Sequence, residues 1–365
     1  MLVKFIRIIF GLFAFVYLLL KLPVFGRRAS QDKIQQFNES ANFINGKFVN
    51  QERTTMDAGL RTSLSIARDF IKPNPNRKPA APLPVQRLAI SGEKHDGGTK
   101  VTWFGHSAFL IEIDGKRLLL DPMFGTAPSP FPAFGGKRYS EKLPFEVEDL
   151  PFIDAVLFSH DHYDHLDYGT IKKLRDKTGR FFVPLGVGSH LERWGVAPSN
   201  IEEHNWWDEM EFQGLSLACT PSRHFSGRSL TDRNATLWCS WVITGQEEKI
   251  FFSGDSGYGP HFKEIGEKYG PFDLALMECG QYDERWAALH MMPEETVQAH
   301  IDVKGKLMIP IHWGAFTLSV HDWTDPVERA QKAAKERGIL ICTPKIGETV
   351  HVSSEEYPTV PWWKA

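Results

Sequence analysis

The 365-residue chain has ordinary apolar and charged fractions and a formal net charge of −3. That admits a sizeable core in one large or two modest domains and gives no reason to expect nucleic acid. Its four cysteines, Cys219, Cys239, Cys279 and Cys342, form no CxxC pair, which argues against a cysteine-ligated zinc site and a disulfide framework and leaves a single disulfide open.

Residues 1–26 form a first segment that is apolar over 2–25 yet carries Lys4, Arg7 and Lys21. Its uninterrupted part, 8–20, would span about 20 Å as a helix against a hydrocarbon core of roughly 30 Å, a gap that snorkelling of Arg7 and Lys21 narrows. Residues 22–28 contain no small-x-small cleavage site and no lipobox cysteine, so an uncleaved membrane anchor is preferred to a cleaved signal. The expectation is membrane association of a bacterial-envelope type, with orientation open because basic residues flank both ends. Residues 27–98 are polar and then proline-rich, and read as an arm or linker with some helix near 56–70.

From Lys100 the pattern becomes strand-like. Residues 101–113 and 117–121 read as strands joined around Asp114-Gly115, a hairpin signal. A long loop rich in Pro, Gly and Phe follows at 123–144. Further strands are expected at 155–158, 181–183, 215–220, 237–243, 249–253, 272–277 and 306–311, with amphipathic helices near 170–177, 294–302 and 325–337. This alternation predicts an α/β or α+β core over 99–352, ligand groups gathered on one rim, and a C-terminal tail at 353–365.

The strand at 155–158 runs into Ser159-His160-Asp161-His162-Tyr163-Asp164-His165. Three His and an Asp delivered to one point suit a borderline cation such as zinc. Other predicted strands end in His224, Asp255 and His312. Seven N/O donors exceed the needs of one tetrahedral ion and suit two ions sharing a carboxylate. The expected assignment places His160, His162 and His224 on one ion, Asp164, His165 and His312 on the other, and Asp255 between them. Asp121, at a strand end, is either a turn carboxylate or a hydrogen-bond partner of a ligand imidazole.

His-x-His-x-Asp-His followed by distant His, Asp and His resembles the metallo-β-lactamase superfamily. Within it, the chain is similar to N-acyl-phosphatidylethanolamine-hydrolysing phospholipase D and its bacterial relatives, through Trp103-Phe104-Gly105-His106-Ser107, Thr220-Pro221-Ser222-Arg223-His224, Tyr282-Asp283-Glu284-Arg285-Trp286, His290-Met291-Met292-Pro293-Glu294 and Ile311-His312-Trp313-Gly314. The resemblance covers roughly residues 100 to 350. It implies an αβ/βα sandwich, two Zn²⁺ or other divalent ions, a phospholipid substrate at a membrane, a homodimer, and hydrolysis of a phosphodiester with His290 protonating the leaving alkoxide. Glu278 departs from the pattern, which has an apolar residue there.

Phe124, Phe131, Phe134, Trp206, Trp207, Trp286 and Trp313 are expected near the rim of the site, where they would meet a lipid. Rival readings are a superfamily hydrolase of a lactone, thioester or soluble phosphodiester, and a membrane-tethered metal-binding protein without turnover.

Overall fold

The computed structural model describes residues 17–54, 59–88, 97–133 and 136–364, with Arg7 and Gly11. Most of the expected anchor, and Phe134 of the expected rim, lie outside the described residues. No helix among the described residues is long and apolar enough to cross a membrane.

In chain order, the strands are β1 (Phe43–Ile44), β2 (Lys47–Phe48), β3 (Lys100–Trp103), β4 (Phe109–Ile113), β5 (Lys116–Leu120), β6 (Ile153–Leu157), β7 (Thr178–Pro184) and β8 (Ile201–His204). They continue as β9 (Glu209–Phe212), β10 (Leu215–Thr220), β11 (Ser240–Thr244), β12 (Lys249–Phe252), β13 (Phe272–Glu278), β14 (Gly305–Ile311), β15 (Leu340–Ile341) and β16 (Thr349–His351). The helices are α1 (Gln31–Phe37), α2 (Leu60–Ile71), α3 (Tyr168–Leu174), α4 (Gly188–Arg193), α5 (His261–Lys268), α6 (Pro293–Asp302) and α7 (Asp325–Arg337).

Two seven-stranded sheets carry the fold, in the orders β16-β3-β4-β5-β6-β7-β8 and β15-β14-β13-β12-β11-β10-β9. Side-chain alternation along the strands explains the layering. Ile111, Leu118, Leu120, Ala155 and Leu157 of the first sheet share one buried cluster with Leu217, Trp241, Phe252, Leu274 and Ile309 of the second, which is the central core. Their neighbours point outward, where Leu119, Val156 and Phe181 meet Ile171 and Leu174 of α3. On the opposite side Phe251, Ala275 and Met308 meet Phe262 and Ile265 of α5, Val297 of α6 and Ala334 of α7. The result is a helix–sheet–sheet–helix sandwich, as the sequence leads one to expect.

Three local differences from the sequence reading matter. The apolar run at 101–113 is two strands, interrupted where Gly105 and His106 adopt φ of +88° and +55°. The hairpin falls where expected, with Asp114 and Gly115 both at positive φ. The strand expected at 237–243 begins only at Ser240 and pairs with β12 from Trp241 onward. Helices α4 and α5 lie outside the elements expected from the apolar periodicity.

The arm and the tail are packed parts of the sandwich. Phe37, Phe43 and Phe48 join the central core, as do Trp362 and Trp363. The Trp362 ring stacks on Trp313 with centroids 5.7 Å apart and lies 6.3 Å from Trp103. Trp362→Ala is therefore expected to cost about 3–5 kcal/mol, read as a lower urea midpoint at unchanged slope. An unaltered midpoint would mean that the C-terminal residues add no stability.

Candidate metal centre

The side chains expected as ligands follow strand ends on one edge of the sandwich. His160 to His165 follow β6, His224 follows β10, Asp255 follows β12 and His312 follows β14. Asp167 ends the first of these loops by capping α3, its carboxylate accepting from the Thr170 amide at 2.7 Å. Gly254, at φ +56°, lets the chain turn so that Asp255 points inward, and a Cβ there would meet Ser159 and the Cys239 carbonyl at 2.7 Å.

His160 Nε2 lies 2.9 Å from His162 Nδ1, which lies 3.3 Å from His224 Nε2. Ligand nitrogens of a tetrahedral ion with bonds of roughly 2.0–2.1 Å stand about 3.4 Å apart, so this spacing is that of a shared cation. In the second cluster, Asp164 Oδ2 lies 3.4 Å from His165 Nε2 and 3.2 Å from His312 Nε2. Asp255 joins the two. Its Oδ2 is 3.1 Å from His165 Nε2, 3.0 Å from His312 Nε2, and 3.8 Å from both His160 Nε2 and His224 Nε2. The buried Asp255 Oδ1 has no hydrogen-bond partner, which is the condition of an atom waiting for a cation.

The outer nitrogens of the rings are tied down. His165 Nδ1 donates to Asp121 Oδ2 at 2.7 Å, His224 Nδ1 to the Leu289 carbonyl at 3.1 Å and His312 Nδ1 to the Gly280 carbonyl at 3.2 Å. Ser159 Oγ spends its proton on Asp121, so His160 Nδ1 donates to Ser159 Oγ at 2.9 Å. Each of these rings is thereby fixed with its Nε2 turned inward. Asp121 thus stands in hydrogen-bond contact with an imidazole of the cluster.

Burial, reinforced by neighbouring histidines, pushes His160 and His224 well below the usual imidazole range, and burial lowers His162 as well. At pH 7 these three imidazoles are neutral, the form in which an imidazole can take a cation. Burial also opposes charge on His165 and His312, but the Asp255 and Asp164 carboxylates outweigh it. They raise His165 well above its ordinary value and push His312 up to about 10. Those two histidines hold Asp255 and Asp164 well below the carboxylate range against their own burial. Without a cation, two protons balance two buried carboxylates, and a cation would take their place.

A model of the β-lactamase superfamily domain matches residues 116–313. The chain belongs to the metallo-β-lactamase superfamily. It is 40% identical over 332 residues to an uncharacterised protein of Mycobacterium tuberculosis, covering 89% of this chain and 88% of the relative. It is 34% identical over 253 residues to N-acyl-phosphatidylethanolamine-hydrolyzing phospholipase D 1 of Caenorhabditis elegans, covering 66% and 71% of the two chains. Among solved structures, a metallo hydrolase from Ignicoccus hospitalis shares the fold, with a TM-score of 0.54, 24% identity and coverage of 70% and 98%.

Two residues join the superfamily site that the sequence reading left out of it. His106 Nε2 lies 2.9 Å from Asp164 Oδ2. Its signal, a polar His-Ser pair inside an apolar run, was hidden by the expectation of one continuous strand. Glu278, fully buried at the end of β13, accepts from the Met291 amide at 3.0 Å, and its Oε1 is 3.2 Å from His290 Nδ1. Burial pushes its carboxyl well above the usual range and pushes His290 down to about 3.

Half of the described members of the expected aromatic rim are core. Phe124, Trp206 and Trp313 are buried away from solvent, Phe131 packs edge-on against Phe25, and Trp207 stacks on Tyr269. Apolar rings that large fill the sandwich before they line a cleft. Among the described residues only Trp286 of that set lines the cleft over the metal centre, a space of about 310 Å³ shared with Ile66, Phe225, Leu289, Leu318 and His290.

Cation uptake should release protons from His165 and His312, about two per chain at pH 7. Calorimetric titration of the cation-free protein in buffers of different ionisation enthalpy measures this. Enthalpies that do not change with the buffer would contradict the charge balance drawn here.

Proposed function

We propose that the protein is a binuclear zinc phosphodiesterase of phospholipase D type whose substrate is a phospholipid such as N-acyl-phosphatidylethanolamine. The observation that carries the reading is Asp255 Oδ2 lying between two ligand clusters at the floor of a cleft walled by Ile66, Phe225, Trp286, Leu289 and Leu318. The named C. elegans relative adds the substrate class. When bound, two divalent cations would supply hydroxide at neutral pH and offset charge growing on phosphoryl oxygens.

The chain's own residues do the rest. Asp255 orients the attacking oxygen by accepting its hydrogen bond, and the apolar walls exclude water and receive acyl chains. His290 gives a proton to the leaving alkoxide. A neutral imidazole can do so only if the proton lost at one nitrogen is replaced at the other. Glu278 Oε1, 3.2 Å from His290 Nδ1, stands where that replacement is needed, leaving Nε2 to the cleft.

The reading is tested with N-acyl-phosphatidylethanolamine in detergent micelles beside bis(p-nitrophenyl) phosphate. Wild-type protein should cleave both. His290→Ala should keep its metal and lose about 10²- to 10⁴-fold on the lipid, and less on the nitrophenyl ester, whose leaving group needs little protonation. Cleavage of the soluble diester alone would favour a soluble phosphodiester substrate. Equal losses on both would remove His290 as the acid.

A further inference from the structure

Helix α2 (Leu60–Ile71) has its amphipathicity inverted. The side chains turned to the protein are Thr62, Ser65, Ile66 and Asp69, all half-buried. Arg285 binds two of them, donating to Ser65 Oγ at 3.0 Å and Asp69 Oδ2 at 2.8 Å. Arg77 caps the helix end by donating to the Asp69 and Phe70 carbonyls, both at 2.8 Å. Leu60, Leu64, Ala67 and Ile71, spaced i, i+4, i+7 and i+11, form one stripe facing solvent. Leu60 is 76% exposed, Leu64 61% and Ile71 81%. A surface helix of a soluble fold places these faces the other way round.

Two further facts choose the occupant. Arg61, Arg68 and Lys72 are exposed and stand in a column beside the stripe, which matches anionic headgroups. Ile66 of the same helix lines the cleft over the metal centre, together with Trp286, the neighbour of Arg285. A protein seated on this helix would stand at the mouth of that cleft, whereas a bilayer there would supply substrate.

We propose that α2 is an interfacial docking helix whose outer stripe enters an anionic bilayer and so sets the cleft mouth against the lipid surface. The proposal rests on the phospholipase reading for its purpose and on the helix geometry for its substance. It is separate from any anchoring by residues 1–26.

All four native cysteines are buried, so Leu64→Cys in the full chain can be labelled with an environment-sensitive nitrobenzoxadiazole dye, with the wild type as labelling control. Vesicles of phosphatidylethanolamine and phosphatidylglycerol at about 3:1 should shift the emission to the blue, and phosphatidylcholine vesicles should shift it less. Leu60→Ser/Leu64→Ser/Ile71→Ser should lose about tenfold or more of turnover on vesicle-borne lipid and none on bis(p-nitrophenyl) phosphate. Emission unchanged by vesicles overturns the proposal. So does emission already blue without them, which would mean that another part of the chain covers the stripe, or a shift that follows protein concentration, which would mean that a second copy does. Failure of the wild type to cleave N-acyl-phosphatidylethanolamine in micelles would sink the phospholipase reading while leaving the vesicle shift to stand or fall by itself.

Discussion

A single buried carboxylate oxygen organises this molecule. Asp255 Oδ2 stands within 3.8 Å of four imidazole nitrogens supplied by three different loops. A carboxylate this deep is tolerated only if it is paired, because an isolated buried charge costs far more than the few kcal/mol by which a domain is stable. The fold answers with convergence. Parallel strands β5, β6 and β7 of one sheet and β12, β13 and β14 of the other end on the same rim, so loops distant in sequence deliver opposite charges to one point. Asp121, Ser159 and the Leu289 and Gly280 carbonyls then fix the ring orientations.

How much of this could be read from the sequence depended on whether the signal was local. The His160–His165 cluster was legible because its spacing lies within one loop. The assignment of His224, Asp255 and His312 followed from strand ends, and the structure brings those residues to the same edge. His106 was not legible, because only the positive φ of Gly105 and His106 breaks the apolar run that hides it. The pairing of Glu278 with His290 was equally invisible, since the two stand twelve positions apart across an irregular stretch and no periodicity reports such a stretch's path. The aromatic rim failed for a different reason. Composition gives the number of rings and nothing about which way they point, and a sandwich of two seven-stranded sheets takes Phe124, Trp206 and Trp313 as core.

The arm is the part of the chain whose meaning changed most. Read as a linker, it supplies Phe37, Phe43 and Phe48 to the core. It also places Asn50, whose Nδ2 donates to the His224 carbonyl at 2.8 Å and whose Oδ1 accepts from the His224 amide at 3.1 Å. A segment that lacks a core of its own thus holds a candidate ligand loop from outside, and α2 of the same segment lends Ile66 to the cleft. Stability and site geometry are coupled through these contacts, so damage to the arm would be felt at the metal centre.

The central claim is that two cations share Asp255. Elemental analysis of wild-type protein and of Asp255→Asn, each purified without chelator and supplemented with zinc, tests it most directly. The account predicts about two equivalents per wild-type chain and a clear loss in the variant, whose amide keeps the shape of the side chain without its charge. A reproducible single equivalent in the wild type, or two in both proteins, would contradict it.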